Sequence, residues 1–337
     1  MMLDLSTLKK IDSQKMYKIY DEWPKLARNA YESDLSQVDF RDIDHIVFSG
    51  MGGSGAIGDL FSAILSKTNI HVNVIKGYVL PKTVDKNTLV VATSISGNTD
   101  ETLSILQSAQ KMNCNLIGFS SGGKMEDICQ KKNILFKKLP KNHSPRSSFV
   151  TFVYSILKTL NSILPIQKNA ILESLDKLEI QSNKIATCNF HDNPSINLAN
   201  FLHNGVSAIY YPHGLSAAAI RFKNSLQENA KNHAFAEDVI ETCHNGIVPW
   251  ERPSEIKPVL IQGTDDHIKT KERWSLLKQY FDSKKVPYRE LYTVDGNILS
   301  KLVCLIHLLD FTSIYLAALS EIDPTPVKSI EFIKERL

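Results

Sequence analysis

The chain has 337 residues, a length that favours two domains of ordinary size over one core. Its composition is 43% apolar and 22% charged with a formal net charge of +3, which excludes a disordered chain and gives no electrostatic reason to expect nucleic acid as a partner. The five cysteines are widely spaced and form no Cys-x-x-Cys pair. We therefore expect reduced thiols, no metal site of the zinc-ribbon type and a cytoplasmic protein.

The first half of the chain predicts leading helices followed by an alternation of strands and helices. Residues 7–35 are polar and periodic, which is typical of surface helices. Short apolar runs then predict strands at 45–49, 71–75, 88–93, 115–119 and 134–137, with helices at 54–67 and 99–112. Strands that alternate with helices predict a parallel sheet covered on both faces.

The second half repeats this rhythm. We predict strands at 207–211, 258–262 and 288–294, and helices at 149–164, 167–187, 216–231, 269–281 and 298–320. The most apolar stretch, 302–319, contains His307 and Asp310, so we expect a buried helix and no membrane partner. The predicted fold class is α/β with two parallel-sheet subdomains, divided as N-terminal helices 1–39, first subdomain 40–165, helical connector 166–194 and second subdomain 195–337.

The glycine-rich segment Gly50–Gly55 lies between a predicted strand and a predicted helix. Its spacing fits the dinucleotide-binding fingerprint, which also needs an acidic residue at the end of the second strand to bind the ribose. That strand ends in Ile75-Lys76-Gly77 with no acid, which disfavours a nicotinamide cofactor, and no Gly-Lys-Ser/Thr follows to make a P-loop. Glycines still let backbone N–H groups approach an anion at a helix N-terminus, and Ser54 adds a hydroxyl.

A second loop, Ser94–Thr99, follows the third predicted strand, where open parallel sheets bind ligands. Ser94, Ser96 and Thr99 offer three hydroxyl groups, although Thr99 could simply cap a helix and the serines could be ordinary turn residues. Two loops rich in donors at neighbouring strand ends suit a terminal phosphate, which has three free oxygens. We therefore predict that they bind the phosphate of a small anionic substrate.

Six segments in order then resemble a known family, and the likeness spans residues 40 to 337. The two loops, the second extended through Asp100-Glu101-Thr102, resemble the sugar isomerase (SIS) domain. More narrowly, the chain resembles the bifunctional phosphoglucose/phosphomannose isomerases through Pro145–Ser148, Glu228–Lys231, His244-Asn245 and Asp323–Lys328, the last followed by Lys334.

The resemblance implies an aldose–ketose isomerase for hexose 6-phosphates, a homodimer of chains with two SIS-type subdomains, and no metal or cofactor. It implies that the phosphate is bound by Gly53, Ser54, Ser94, Ser96 and Thr99. It places Arg146 beside the phosphate and the reacting carbons and makes Glu228 the base, His244 the ring-opening group and Lys334 a further acid/base or hydroxyl-binding group, with Lys328 as a rival for that role.

These residue types suit the chemistry. A buried carboxylate can move a proton between C1 and C2, an arginine stabilises the enediolate, and a histidine titrates near neutral pH for ring opening. Each has a simpler alternative, since Glu228 could be a solvated helix residue, His244 a loop histidine and Arg146 a helix-start residue. Lys223 and Lys231 could likewise simply face solvent.

Two alternative functions stay open at this point. One is a sugar-phosphate-binding regulator without catalysis, and the other is an SIS isomerase that acts on another sugar phosphate. Three positions also depart from the family pattern: Ile95 stands where an aromatic residue is common, Gly246 where an acidic residue is usual, and Pro249-Trp250 where Gly-Trp is usual.

Overall fold

A computed structural model describes residues 3–336, and the chain forms two compact units. The first unit contains Glu22–Asp176 with Asn297–Leu299. The second unit contains the described residues up to Asp21, Lys177–Gly296 and the residues from Ser300 onward. The domain limits expected from the sequence stay a prediction.

Strands and helices alternate through most of the chain. The strands are β1 His45–Ser49, β2 His71–Ile75, β3 Thr88–Ser94, β4 Asn115–Ser120, β5 Leu135–Lys138, β6 Ser207–Tyr211, β7 Ala234–Asp238, β8 Lys257–Gln262 and β9 Arg289–Tyr292. The helices are α1 Leu5–Ile11, α2 Met16–Asp21, α3 Trp23–Glu32, α4 Gly52–Leu65, α5 Asp100–Ala109, α6 Gly123–Lys132, α7 Phe149–Thr159, α8 Lys168–Ile185, α9 Pro194–Leu202, α10 Ser216–Asn229, α11 Val239–Thr242, α12 Ile268–Ser283, α13 Ile298–Leu319 and α14 Lys328–Lys334.

The first unit is built on a five-stranded sheet in the order β2-β1-β3-β4-β5, and all its neighbouring strands are parallel. Every residue of β1 and β3 is buried. One cluster packs Val47 and Val90 against Ile105 of α5, and another packs Ala92 against Leu106 and Met125. Because helices cover both faces, these strands are continuous apolar runs, which is why the sequence predicted them.

The second unit has a four-stranded parallel sheet in the order β7-β6-β8-β9. This is the order of the first sheet without its last strand, as expected for a repeated α/β unit. Its core packs Tyr210 and Trp250 against Trp274 and Phe281. The sequence analysis missed β7, since the strand is only half-buried along its whole length and carries Glu237 and Asp238.

A buried ionic network joins α10 to α13 within the second unit. Arg221 donates from Nε and Nη2 to Asp310 at 3.1 and 2.6 Å, and Ser225 donates to the same carboxylate at 2.7 Å. One turn further, Asn229 donates to Ser313 at 2.8 Å. The three α10 residues are four positions apart, so they share one face of that helix.

Helix α13 is the single described helix that is long and apolar enough to cross a membrane, but 94% of its most apolar window is buried in the protein. This confirms the expected buried helix. One of the buried polar residues of α13 is His307, whose Nε2 is 2.8 Å from the carbonyl oxygen of Tyr20 on α2. The predicted segments are otherwise found with ends shifted by a few residues, while α6, α9, α11 and α14 were not predicted.

Candidate active site

The first glycine loop connects β1 to α4 with very little space for side chains. A Cβ atom on Gly50 would lie 2.8 Å from the backbone carbon of Ser54, so glycine is required there. Gly52 has a φ of +51°, a conformation that glycine adopts readily. No side chain caps the N-terminus of α4. Its first N–H groups are therefore suited to bind an anion.

The second loop, between β3 and α5, is held by its own hydroxyl groups. Ser94 is fully buried, and its Oγ accepts from the N–H of Gly97 at 3.1 Å and lies 2.9 Å from Oγ1 of Thr99. Thr99 precedes α5 but makes no side-chain capping bond. Thr99 is therefore the N-cap residue of α5, as the alternative had it, but without a side-chain capping bond, and Ser94 contributes to the shape of the loop.

One hydrogen bond joins the two loops. The N–H of Ile95 donates to Oγ of Ser54 at 3.2 Å. Within the second loop, the N–H of Asn98 donates to Oγ of Ser96 at 3.3 Å. Because both serine oxygens act as acceptors, each hydroxyl keeps its own proton to donate to a bound anion. The two predicted phosphate loops therefore contact each other in the first unit.

A third loop, Ser120–Gly123, supports the second one. Ser121 donates from Oγ to the carbonyl of Ile95 at 2.6 Å, and the N–H of Met125 donates to the carbonyl of Gly97 at 2.9 Å. A Cβ atom on Gly97 would lie only 1.7 Å from the carbonyl oxygen of Gly122. The supporting role of this loop was not predicted, although its Ser-Ser-Gly-Gly segment follows a strand and is rich in serine and glycine, like the other two loops.

Arg146 lies against the first loop. A Cβ atom on Gly53 would be 3.2 Å from Cα of Arg146, so a side chain there would press against the backbone of Arg146. Arg146 is 7% exposed and begins a 3₁₀ turn, Arg146–Ser148, before α7. The structure therefore brings Arg146 to the predicted phosphate loops.

Two serines after Arg146 fix the turn that carries it. Ser147 donates to the carbonyl of Asn142 at 2.6 Å, and Ser148 donates to the carbonyl of Ser144 at 2.8 Å. Trp23 also donates from Nε1 to the carbonyl of Ser147 at 3.3 Å. Ser147 and Ser148 of the Pro145–Ser148 motif therefore hold the backbone around Arg146.

Lys76 occupies the place where a dinucleotide site would have its acidic residue. Its ammonium group is 2.6 Å from the carboxylate of Asp59 on α4. A lysine paired in this way cannot accept hydrogen bonds from a ribose. Lys76 therefore pairs with Asp59 at the end of β2, and the absence of a nicotinamide cofactor stays a prediction.

In the second unit, Glu228 lies in the last turn of α10 and is half-buried. Its neighbour Asn229 is completely buried and bound to Ser313 of α13. Lys231, just past the helix, donates to the carbonyls of Glu228 and Asn229 at 2.9 and 3.3 Å. Lys231 is exposed, as the solvent-facing alternative allowed, but its ammonium group also binds the end of the helix.

His244 is exposed in the turn after α11. Two residues on, a Cβ atom at Gly246 would lie 2.4 Å from Oε2 of Glu237, and that same oxygen accepts from Thr242 at 3.2 Å. The carboxylate of Glu237 therefore occupies the space beside Gly246 that a side chain at 246 would need. The sequence analysis did not single out Glu237, because it comes from a different strand, β7.

The two C-terminal lysines are the first and last residues of α14, a helix that buries none of its residues. Both Lys328 and Lys334 are exposed, and the geometry does not favour either one. Among residues 3–336 no group of three or more His, Cys, Asp or Glu side chains could hold a metal ion.

Two family models match the chain. The SIS domain matches residues 39–164, and the bacterial phospho-glucose isomerase C-terminal SIS domain matches residues 191–337. The bifunctional phosphoglucose/phosphomannose isomerase of Caldicellulosiruptor bescii is 32% identical, over 96% of this chain and 98% of the relative. The enzyme of the same name from Aquifex aeolicus is 29% identical, again over 96% and 98%.

A solved structure shares the fold. A putative tagatose-6-phosphate ketose/aldose isomerase from Clostridium novyi NT superposes with a TM-score of 0.71 at 16% identity, over 95% of this chain and 92% of that one. At this identity the likeness concerns the fold alone. With the full-length relatives and both SIS models, the chain belongs to the bifunctional phosphoglucose/phosphomannose isomerase family.

Proposed function

We propose that this protein interconverts fructose 6-phosphate with glucose 6-phosphate and mannose 6-phosphate. The observation that carries the proposal is the joined pair of loops beside Arg146, where Ser54 accepts from Ile95 and Gly53 contacts the Arg146 backbone. Such a site anchors a terminal phosphate and leaves the sugar carbons free to react. Membership of the family supplies the reaction class, an aldose–ketose isomerisation.

The phosphate is bound by the loops of the first unit. Backbone N–H groups at the start of α4, including that of Gly53, and the hydroxyls of Ser54, Ser96 and Thr99 donate to its oxygens. Ser94 keeps the second loop in shape. Because these donors are fixed before the substrate arrives, little ordering is needed on binding.

The isomerisation moves one proton between two carbons and another between two oxygens. Glu228 removes the proton from C2 of the open-chain aldose, leaving an enediolate, and returns it to C1. The proton of the O2 hydroxyl passes to O1, so that C2 becomes the carbonyl carbon of the ketose. Arg146 stabilises the enediolate, because its guanidinium keeps its charge throughout. In the reverse direction, protonation at one face of C2 gives the glucose epimer and at the other face the mannose epimer. A single base serves both substrates provided that the enediolate turns about its C2–C3 bond to present either face.

The remaining roles rest on the family resemblance. His244 opens the sugar ring, and Lys334, or its rival Lys328, binds a hydroxyl group or transfers a proton. The protein works as a homodimer in the cytoplasm, with His244 serving either its own site or that of the second copy. The reaction needs neither a metal nor a cofactor, which a chelator added to the assay tests directly.

The test is an assay of purified protein with fructose 6-phosphate in which glucose 6-phosphate and mannose 6-phosphate are measured separately. Both products are expected, and a chelator should not reduce either rate. Glu228→Gln should still bind fructose 6-phosphate but turn over about 10³-fold more slowly. Binding without any product from the unaltered protein would contradict the proposal and favour a regulator.

A further inference from the structure

Lys231 has an unusual conformation for its residue type. It follows α10 with a φ of +53°, the left-handed region in which glycine or asparagine usually ends a helix. Lys15 and Lys285 share this conformation, so the backbone alone does not set Lys231 apart. The contacts of its ammonium group do.

The Lys231 ammonium group has three N–H donors and lies within hydrogen-bond distance of four carbonyl oxygens from two separate segments. Those of Glu228 and Asn229 belong to the end of α10, at 2.9 and 3.3 Å. Those of Asp323 and Pro324 lie more than ninety residues later in the chain, at 3.0 and 3.1 Å. The ammonium group therefore joins the last turn of α10 to the segment that precedes α14.

The second segment is itself fixed. The carboxylate of Asp323 accepts from Oγ of Ser13 at 2.6 Å and from the N–H of Thr325 at 2.9 Å, and Pro324 is buried. On the other side, Asn229 is bound to Ser313 of α13. Lys231 thus links two anchored parts of the second unit, one carrying Glu228 and the other leading to Lys328 and Lys334.

We propose that Lys231 is a positioning residue for Glu228: by binding the Glu228 carbonyl and the Asp323-Pro324 carbonyls together, it fixes the end of α10 relative to the C-terminal segment. This inference rests on the proposed role of Glu228 as the base. Lys231 itself does not touch the substrate. Proton transfer is sensitive to small displacements of the base, so loosening this link lowers the rate of the chemical step.

The test uses Lys231→Gly, because glycine accepts the positive φ and only the side chain is lost. We expect kcat to fall about 10-fold, with KM for fructose 6-phosphate within about twofold of the unaltered protein because the phosphate loops are intact. The thermal midpoint of each variant confirms that it is folded. Lys223→Ala, on the same helix, is the matched control and should leave kcat unchanged.

Chemical rescue separates positioning from a general loss of structure. Methylammonium chloride should restore part of the lost kcat of Lys231→Gly, because its N–H groups can bind the same carbonyls. Tetramethylammonium chloride at the same ionic strength has no N–H group and should not. A normal kcat in Lys231→Gly, or equal effects of the two salts, would overturn the proposal.

Measuring Glu228→Gln alongside distinguishes a failure of the positioning role of Lys231 from a failure of the proposed base. If Glu228→Gln is inactive while Lys231→Gly has normal kcat, the positioning role alone is wrong. If Glu228→Gln keeps its activity, the proposed base is wrong and the positioning role is overturned with it.

Discussion

The first strands of the two sheets in chain order, β1 and β6, end in different loops although the sheets share a strand order. After β1, glycines bring the backbone of Gly50 against that of Ser54, and helix α4 begins directly at Gly52. After β6, the 3₁₀ turn His213–Leu215 intervenes before α10, and Gly214 has no atom within 4 Å of an added Cβ.

Under the proposed function, this difference corresponds to a division of work between the two units. The first unit provides backbone and hydroxyl donors, which suit an anion. The second unit provides the proposed titratable groups, Glu228 at the end of α10 and His244 after α11, and a buried ionic network that binds α10 to α13. The four predictions below test this contrast, from the largest expected effect to the smallest.

The buried network of the second unit should matter far more for stability than the surface pair of the first. Arg221 and Asp310 are at most 3% exposed, whereas Lys76 and Asp59 are 38% and 16% exposed. Asp310→Ala leaves a buried guanidinium without its carboxylate and should lower the free energy of unfolding by about 3–5 kcal/mol. Asp59→Ala should lower it by less than about 1 kcal/mol. Urea denaturation measures both, and equal losses would contradict the contrast.

His307 should make the second unit sensitive to acid. Burial lowers the pKa of His307 to about 4, against an ordinary value of 6.5, while its hydrogen bond to Tyr20 opposes the shift. Below pH 6.5, His307 therefore binds a proton in the unfolded chain but stays neutral in the folded protein. The free energy of unfolding falls as the pH drops from 6.5 to 4. The loss should be roughly 3 kcal/mol.

The check is urea denaturation at pH 7 and pH 4 of the unaltered protein and of His307→Gln. The glutamine amide can still donate to the Tyr20 carbonyl but does not titrate. The variant should lose less stability than the unaltered protein over this range. An identical loss in both would assign the acid sensitivity to other groups.

Gly97→Ala should damage the phosphate site severely. Its Cβ would lie 1.7 Å from the Gly122 carbonyl oxygen, and the residue has a φ of +73°. The second loop must therefore move, and KM for fructose 6-phosphate should rise about 100-fold, equivalent to about 2.7 kcal/mol. Gly214→Ala, the control in the second unit, should stay within about twofold. Steady-state kinetics of both variants measure this difference. A normal KM in Gly97→Ala would mean that the second loop does not bind the phosphate.

The smallest effect concerns the turn of His244. In Gly246→Asp, the new side chain would displace the carboxylate of Glu237 and place a second negative charge beside it. We expect kcat to fall about 10-fold, equivalent to about 1.4 kcal/mol. The double variant Glu237→Gly with Gly246→Asp should recover most of this loss. A normal kcat in Gly246→Asp would mean that Glu237 does not constrain this turn.

Much of this fold could be predicted from the sequence, because strands buried on both faces are unbroken apolar runs such as those of β1 and β3. Strand β7 could not, since its half-buried position needs no such run. The two phosphate loops were predictable for a similar reason, as close backbone approach requires glycine at fixed positions.

The contacts between distant segments were not predictable in this way. The hydroxyl of Ser54 meets the N–H of Ile95, and the ammonium of Lys231 meets the carbonyl of Asp323, but neither pair has a periodic or compositional signal. The Glu237 carboxylate beside Gly246 is the same kind of case, since only the folded chain brings β7 to that turn.

The most direct test of the central claim is hydrogen exchange during turnover of fructose 6-phosphate in D₂O, followed by NMR. The unaltered protein should introduce deuterium at C1 of the ketose and at C2 of the aldose products. Glu228→Gln, at substrate concentrations that saturate its phosphate site, should exchange about 10³-fold more slowly. Deuterium incorporation by Glu228→Gln at the rate of the unaltered protein would contradict the account that phosphate binding and proton transfer belong to separate sets of residues.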